Sequence, residues 1–200
     1  PLTRWIATPE VAKHRIFAWM DPSMLPSGSV YAIARDDDMV FGVLNSKIHE
    51  VWALRLGTSL EDRPRYTSTT TFETFPFPDG LTLDRPAADT DNDPRAITIA
   101  EAARTLVARR DQWLNPDPWM EWKDEPVPGY PRRAVPKPGF EERLAGRTLT
   151  ALYNDPEDWL VALHDDLDKA VAEAYGWEWP LSEHEILERL LALNAVRQGK

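Results

Sequence analysis

The chain has 200 residues, 42% of them apolar, and nine Trp, which is enough for a globular protein with one or two cores and excludes a broadly disordered chain. Its formal net charge of −10 argues against simple non-specific binding to nucleic acid, because that function normally needs a basic surface. The absence of Cys excludes disulfides and thiolate metal sites, and no apolar run approaches the ~18 residues of a membrane span. We therefore expect a cytoplasmic protein with no membrane partner.

The charge is unevenly distributed along the chain. Residues 1–80 hold eight Lys and Arg against ten Asp and Glu, whereas residues 81–200 hold 15 against 23. If either half contacts DNA, we expect it to be the first. The first residue is Pro rather than Met, so we expect either a processed N-terminus or a piece cut from a longer protein.

Residues 1–80 open with two short β-prone runs. The turn-rich segment Asp21–Gly28 separates His14–Met20 from Ser29–Arg35, a pattern that predicts two strands. The stretch Met39–Leu56 has apolar residues three or four positions apart, which predicts one helix, and Gly57 is a suitable stop.

The segment Arg63–Pro78 follows a polar loop and is the most informative part of the chain. Its threonines and aromatic residues favour a strand, and Pro76 and Pro78 prevent that strand from continuing. We expect its three phenylalanines to lie in the core or at a domain interface: Phe72, Phe75 and Phe77.

We predict a linker over residues 81–94 and a helical domain over residues 95–200, with a Pro-rich irregular connection at 115–139. A helix should begin at Asp93-Pro94 and run to about Trp113. Three more helices are predicted, the last with a capping box formed by its first residue and Glu185: Phe140–Tyr153, Pro156–Tyr175 and Ser182–Gln198. The predicted fold class is α+β, a small mixed strand and helix domain followed by a Pro-rich connection and an α-helical domain.

Catalytic signatures are absent from the sequence, which has no Gly-rich phosphate loop, nucleophile elbow or paired-His metal motif. The run Asp36–Asp38 suits either a Mg²⁺ site or a helix cap, and the cap is the commoner use of acids at a helix start. Lys47, His49 and Glu50 suggest acid–base chemistry, but their spacing on one helix favours a solvated face. A wet acidic face is also predicted for the carboxylates of a later helix, Asp165, Asp166, Asp168 and Glu173. The many Trp of residues 113–122 and 159–179 suit packing or base stacking, and packing is favoured.

Three strings together resemble the MmeI-like single-chain restriction–modification enzymes (type IIL DNA methyltransferase–endonucleases). They are Ala34–Leu54, Leu60–Pro78, and Leu167–Trp177 with Glu185–Asn194. The resemblance implies that residues 1–80 are a target-recognition domain, or the last part of one, and that residues 95–200 are its helical C-terminal domain. It further implies that the nuclease and the S-adenosylmethionine-binding methyltransferase lie upstream in the same polypeptide.

The implied function is recognition of a double-stranded DNA sequence for an N6-adenine methyltransferase. This chain alone should then catalyse nothing and bind no cofactor, while the parent chain would use S-adenosylmethionine, and Mg²⁺ if it cuts DNA. Its partners would be double-stranded DNA and the methyltransferase and nuclease domains of the same polypeptide.

Base-reading candidates lie in and beside the Arg63 segment, because Arg can pair with guanine, Glu with cytosine and Thr with a thymine methyl: Glu61, Arg63, Arg65, Thr67 and Ser68. Candidate phosphate contacts are Lys13, His14, Arg15, Lys47 and Arg55. No metal or catalytic residue is predicted.

A second hypothesis makes the chain a protein-interaction or scaffold module of a larger protein, with the acidic helical half docked on a basic partner domain. A steep salt dependence of DNA binding would favour the first hypothesis. A protein complex insensitive to salt would favour the second.

Overall fold

The computed structural model of the chain describes residues 1–60, 63–124 and 132–199. The fold is α+β, as predicted. The strands are β1 Trp5–Pro9, β2 Ala18–Met20, β3 Val30–Ile33, β4 Thr58–Leu60, β5 Arg63–Arg65, β6 Met120–Lys123 and β7 Arg133–Pro136. The helices are α1 Asp38–Asn45, α2 Lys47–Leu56, α3 Pro94–Leu114, α4 Glu141–Ala145, α5 Leu149–Asn154, α6 Asp158–Ala174 and α7 Glu183–Gln198.

A three-stranded antiparallel sheet of order β2-β1-β3 opens the chain. Its central strand β1 was not predicted. Ile6 pairs with Trp19 on one side and with Ile33 on the other, so both predicted strands exist in shortened form around a strand that the pattern did not reveal.

The predicted helix over residues 39–56 is two helices, and the expectation of one continuous helix was wrong. Ser46 has extended backbone angles and separates α1 from α2. Its hydroxyl donates to the carbonyl of Val43 at 2.7 Å and accepts from the amide of His49, so one side chain ends the first helix and caps the second. The capping role predicted for the Asp run is confirmed, since the Asp37 carboxylate accepts from the amide of Val40 at 2.9 Å.

The strand predicted in the segment Arg63–Pro78 is limited to β5, and the expectation that it continues through the threonines was wrong. Residues Ser68–Phe72 form a single π-helical turn. Thr71 and Thr74 donate their hydroxyls to the carbonyls of Thr67 and Thr70, four residues earlier, and these local bonds replace a strand ladder. Beyond the turn the phenylalanines enter the protein as expected: Phe75 and Phe77 are buried, and Phe72 packs against them.

The long helices of the second half begin and end close to the predicted residues. The Asp93 carboxylate caps α3, Pro94 is its first residue, and Gly176 follows α6 with a φ of +76°. Ser182 and Glu185 form the predicted capping box of α7.

Other parts of the second half differ from the predictions. In the Pro-rich connection, β6 and β7 pair as an antiparallel hairpin, with Glu121 opposite Val135. The helix predicted over residues 140–153 is broken at Gly146, and the Thr148 hydroxyl starts α5 as a new helix by accepting from the amide of Ala151.

One apolar core runs through both halves of the described chain. Helix α3 packs between α1 and α6, and α2 packs on α6 and α7. A Cβ on Gly42 would lie 2.6 Å from the Ile99 side chain, so glycine allows the close approach of α1 and α3. Leu81, in the predicted linker, is buried in this core. The domain boundaries at residues 80 and 95 stay predictions.

Among the helices of the described residues, none combines the length and the apolar character needed to cross a membrane.

Candidate nucleic-acid interface

Strands β4 and β5 form a short hairpin that carries two of the base-reading candidates, Arg63 and Arg65. Ser59 lies opposite Pro64 in the pairing. Glycine is required where α2 enters this hairpin, because a Cβ on Gly57 would lie 2.6 Å from the carbonyl oxygen of Ala53 and 2.7 Å from that of Arg65. The candidate Glu61 lies outside the described residues.

The hairpin is fastened to the segment that follows β1. The Pro64 carbonyl accepts from the amide of Ala12 at 3.3 Å, and the amide of Tyr66 donates to the carbonyl of Glu10 at 2.8 Å. The Glu10 carboxylate also accepts from Nε of Arg65 at 2.8 Å. Backbone and side-chain bonds thus fix Arg65 from two sides, while half of its side chain stays exposed.

Arg15, a phosphate candidate, is buried and lies beneath the same hairpin. Its guanidinium donates to the Thr8 hydroxyl at 3.0 Å and to the Pro64 carbonyl at 3.2 Å, and it stacks 4.9 Å from the centre of the Tyr66 ring. Burial lowers the pKa of this guanidinium, although the neighbouring Tyr66 and Glu50 act in the opposite direction. Its donors therefore serve the protein itself, as a link between β1 and β5.

Arg63 points to a groove of about 840 Å³ beside the first sheet. Lys13 and His14 line the same groove, so three of the sequence-predicted residues come together here. The far wall belongs to the second half of the chain, through Leu149 and Thr150 of α5. Arg63 is exposed and has no hydrogen bond or ion pair within the described ranges, so no described residue uses its donors.

Asn154, at the end of α5, bonds to two groove residues and was missed by the sequence analysis. Its side-chain oxygen lies 2.6 Å from Nζ of Lys13 and 2.9 Å from Nε2 of His14. One acceptor from the helical half therefore orients both polar groups of the loop after β1. No sequence signal could identify it, because it is 140 residues away from His14 along the chain.

Lys47 lies apart from this groove, in a second cavity of about 450 Å³ between α2 and α6. Its ammonium pairs with Glu183 at 2.9 Å and with Glu50 at 3.1 Å. Burial lowers the Lys47 pKa, but the two glutamates outweigh it and the net change is upward. Arg55 lies exposed in the last turn of α2, without a hydrogen-bond or ion-pair partner in the part of the chain that the structure describes.

Thr67 and Ser68 lie at the start of the π-helical turn. The Thr67 hydroxyl is hydrogen-bonded to the Thr70 hydroxyl. The Ser68 carbonyl accepts from the amide of Glu73 at 2.8 Å, and its side chain is half-buried. Both residues continue the chain from Arg65 and lie next to the hairpin.

Two residues predicted on solvated faces are buried. His49 is inaccessible, with its ring between the Leu44 carbonyl and the Tyr66 hydroxyl. Asp168 is also buried, and its carboxylate accepts from the amide of Lys47 at 2.6 Å. Both predictions failed because helix periodicity identifies a face but not what covers it.

Among the described residues, no three His, Cys, Asp or Glu are grouped so as to hold a metal ion.

Part of the sequence and the fold of this chain are similar to those of known proteins. The family model described as the MmeI target recognition domain matches residues 8–79, the region that holds β4, β5 and Lys13. A solved structure of the type IIL restriction–modification enzyme MmeI in complex with DNA matches 100% of this chain, with a TM-score of 0.70 and 24% sequence identity. The chain spans 22% of the length of that MmeI chain. Comparison with curated proteins gave no match. The resemblance found in the sequence is confirmed: residues 8–79 match the MmeI target recognition domain family, and the whole chain has the fold of the corresponding part of MmeI.

Proposed function

We propose that this chain reads a specific sequence in double-stranded DNA for an N6-adenine methyltransferase carried by the same, longer polypeptide. The observation that carries the proposal is the placement of Arg63. Arg63 has no hydrogen bond or ion pair within the described residues, and it lines a groove together with Lys13 and His14, inside the region that matches a target recognition domain.

The roles of the hairpin residues follow from their chemistry. Arg63 and Arg65 would donate to guanine O6 and N7, and a bidentate contact of this kind discriminates against a wrong base by about 1–3 kcal/mol. Arg65 is pre-oriented by Glu10, which reduces the entropy lost on binding. Glu61 would accept from a cytosine amino group, and Thr67 and Ser68 would contact neighbouring base edges.

The hydrogen bonds, ion pairs and burial of the phosphate candidates sort them into two groups. Lys13, His14 and Arg55 would contact phosphates, since within the described residues the first two are hydrogen-bonded only to a neutral amide and Arg55 is exposed. We assign supporting roles to Arg15 and Lys47, because the first is buried and the second is held by two glutamates. S-adenosylmethionine, and Mg²⁺ if the polypeptide also cuts DNA, would be bound by the methyltransferase and nuclease domains.

The test uses the complete gene that encodes this chain, expressed in a host free of DNA methylation, with modified adenines mapped by single-molecule sequencing. We compare wild type with Glu61→Ala, Arg63→Ala, Arg65→Ala and the triple variant. One methylated motif in the wild type, relaxed or shifted at a defined position in each variant, is the expected result. Arg55→Ala is the matched control, and it should lower the extent of methylation without changing the motif.

Two outcomes would overturn parts of the proposal. A motif unchanged in the triple variant would remove base reading from the hairpin. A well-expressed wild type that methylates no adenine, but forms a salt-insensitive complex with another protein, would favour the scaffold function.

A further inference from the structure

The segment 132–147 is basic, although the half of the chain that contains it, residues 81–200, is acidic. We call this segment the basic island. It contains five cations, Arg132, Arg133, Lys137, Arg143 and Arg147, and two acids, whereas the rest of residues 81–200 has 10 cations and 21 acids. Within the described residues, none of the five cations forms an ion pair.

Aromatic rings hold three of these cations in place, Arg132, Arg143 and Arg147. Arg132 lies 4.7 Å above the Trp122 ring across the β6–β7 hairpin, and 52% of Trp122 is exposed. Arg147 lies 4.8 Å from the rings of both Trp113 and Trp119. Stacking orients a guanidinium without neutralising its charge. Arg147 also donates from one guanidinium nitrogen to the Trp113 carbonyl, and its remaining N–H groups stay available.

The island adjoins the groove described above. Arg147 lies two residues before Leu149, which lines the same groove as Arg63. The Cα atoms of Arg147 and Leu149 are therefore at most about 7 Å apart. The Lys137 amide donates to the Trp119 carbonyl at 2.9 Å, and Trp119 stacks on Phe140, which ties the hairpin to the segment that leads into α5. The basic island and the groove thus form a continuous surface.

We propose that the segment 132–147 is a second DNA-contacting element, which binds phosphates of the duplex beside the bases that the β4–β5 hairpin reads. This inference rests on the proposed function. A polyanion suits the surface better than a protein does, since five cations without an ion pair in the described residues lie within one 16-residue segment, where the remainder of the half would repel DNA. A two-stranded ribbon with an exposed Trp also matches the dimensions of a DNA groove.

The test measures the affinity of the complete gene product for a duplex containing its methylated motif, over a series of salt concentrations. The variants are Arg132→Gln/Arg133→Gln and the charge-preserving Arg132→Lys/Arg133→Lys. The control is Lys169→Gln/Arg189→Gln, which removes the same charge from α6 and α7. Each lost phosphate contact reduces the magnitude of the slope of log K against log salt by about 1. The slope of the Gln variant should therefore be smaller in magnitude by about 1–2. The Lys variant and the control should keep the wild-type slope.

The methylated motif separates this inference from the proposed function. A reduced slope with an unchanged motif supports the second DNA contact. A Gln variant that keeps the wild-type slope, with a normal motif, overturns this inference alone. A wild type that marks no motif but shows the same slope change in the Gln variant would remove base reading and retain the phosphate contact. An equally reduced slope in the control would show that the effect depends only on the net charge of the protein, and it would overturn the inference.

Discussion

The Tyr66 hydroxyl lies 3.2 Å from Nε2 of His49, and both side chains are buried. The other ring nitrogen, Nδ1, lies 3.1 Å from the Leu44 carbonyl oxygen, which can only accept, so Nδ1 carries the proton and Nε2 accepts from Tyr66. Burial lowers the pKa of His49 to about 3, which keeps the ring neutral in the folded protein. This bond joins α2 to the chain just after β5 and supports the hairpin from below.

Tyr66→Phe should destabilise the chain by about 1–3 kcal/mol, because it leaves a buried acceptor on His49 without a donor. Denaturant unfolding measures the change. Tyr31→Phe is the matched control, since the Tyr31 hydroxyl has no hydrogen-bond partner in the described ranges, and it should cost less than about 0.5 kcal/mol. Equal stability of the two variants would show that the His49 bond contributes nothing.

Arg15→Lys should destabilise the chain by about 1–3 kcal/mol although it keeps the charge. An ammonium cannot reproduce the planar fork that reaches the Thr8 hydroxyl and the Pro64 carbonyl together. Arg55→Lys, at an exposed position, should stay within about 0.5 kcal/mol of wild type in the same unfolding measurement. An undisturbed Arg15→Lys variant would return Arg15 to the set of phosphate candidates.

Gly57→Ala should destabilise the β4–β5 hairpin by about 1–3 kcal/mol, because the new Cβ would overlap the carbonyl oxygens of Ala53 and Arg65. The same addition at Gly146 meets nothing within 4 Å, at a φ of −86°, and should be neutral within about 0.5 kcal/mol. Thermal unfolding of both variants checks the difference. A neutral Gly57→Ala would mean that the hairpin shifts without cost.

Asp168 makes the stability of the chain depend on pH. Burial raises its pKa to about 7, with Glu50 and Asp165 adding to the rise and Lys47 opposing it. The folded pKa lies above the unfolded value of about 3.9, so the folded state holds the proton more tightly. Stability from this group is therefore greatest below about pH 4 and declines as the pH rises to about 7.

Asp168→Asn should remove this decline, so that at pH 8 the variant is more stable than wild type by about 2–4 kcal/mol and at pH 4 nearly equal to it. Unfolding curves at several pH values give the difference in stability between the two proteins, which cancels the contribution of the buried His49. Asp166→Asn, at an exposed neighbour, should show no such difference. A variant less stable than wild type at every pH would mean that the bond from the Lys47 amide outweighs the cost of burial.

Local chemistry alone determined the parts of this fold that depend on a few adjacent residues. Asp93 and Pro94 start α3, Ser182 and Glu185 cap α7, and Gly176 follows α6. Each of these features depends only on residues within one helical turn. The α+β class followed from the change of hydrophobic period along the chain. The family resemblance followed from the strings around Arg63 and Ala34–Leu54.

Only the tertiary structure decided which side chains share a site. One local feature was also missed: threonine-rich segments suit a strand by propensity, but the hydroxyls of Thr71 and Thr74 bond back four residues and make a turn. Periodicity placed His49 on a polar face, and packing against Tyr66 buried it. The groove joins Lys13, Arg63 and Thr150 from three distant parts of the chain. Contacts of that range depend on how the helical half packs on the first sheet, and no local pattern in the sequence encodes that packing.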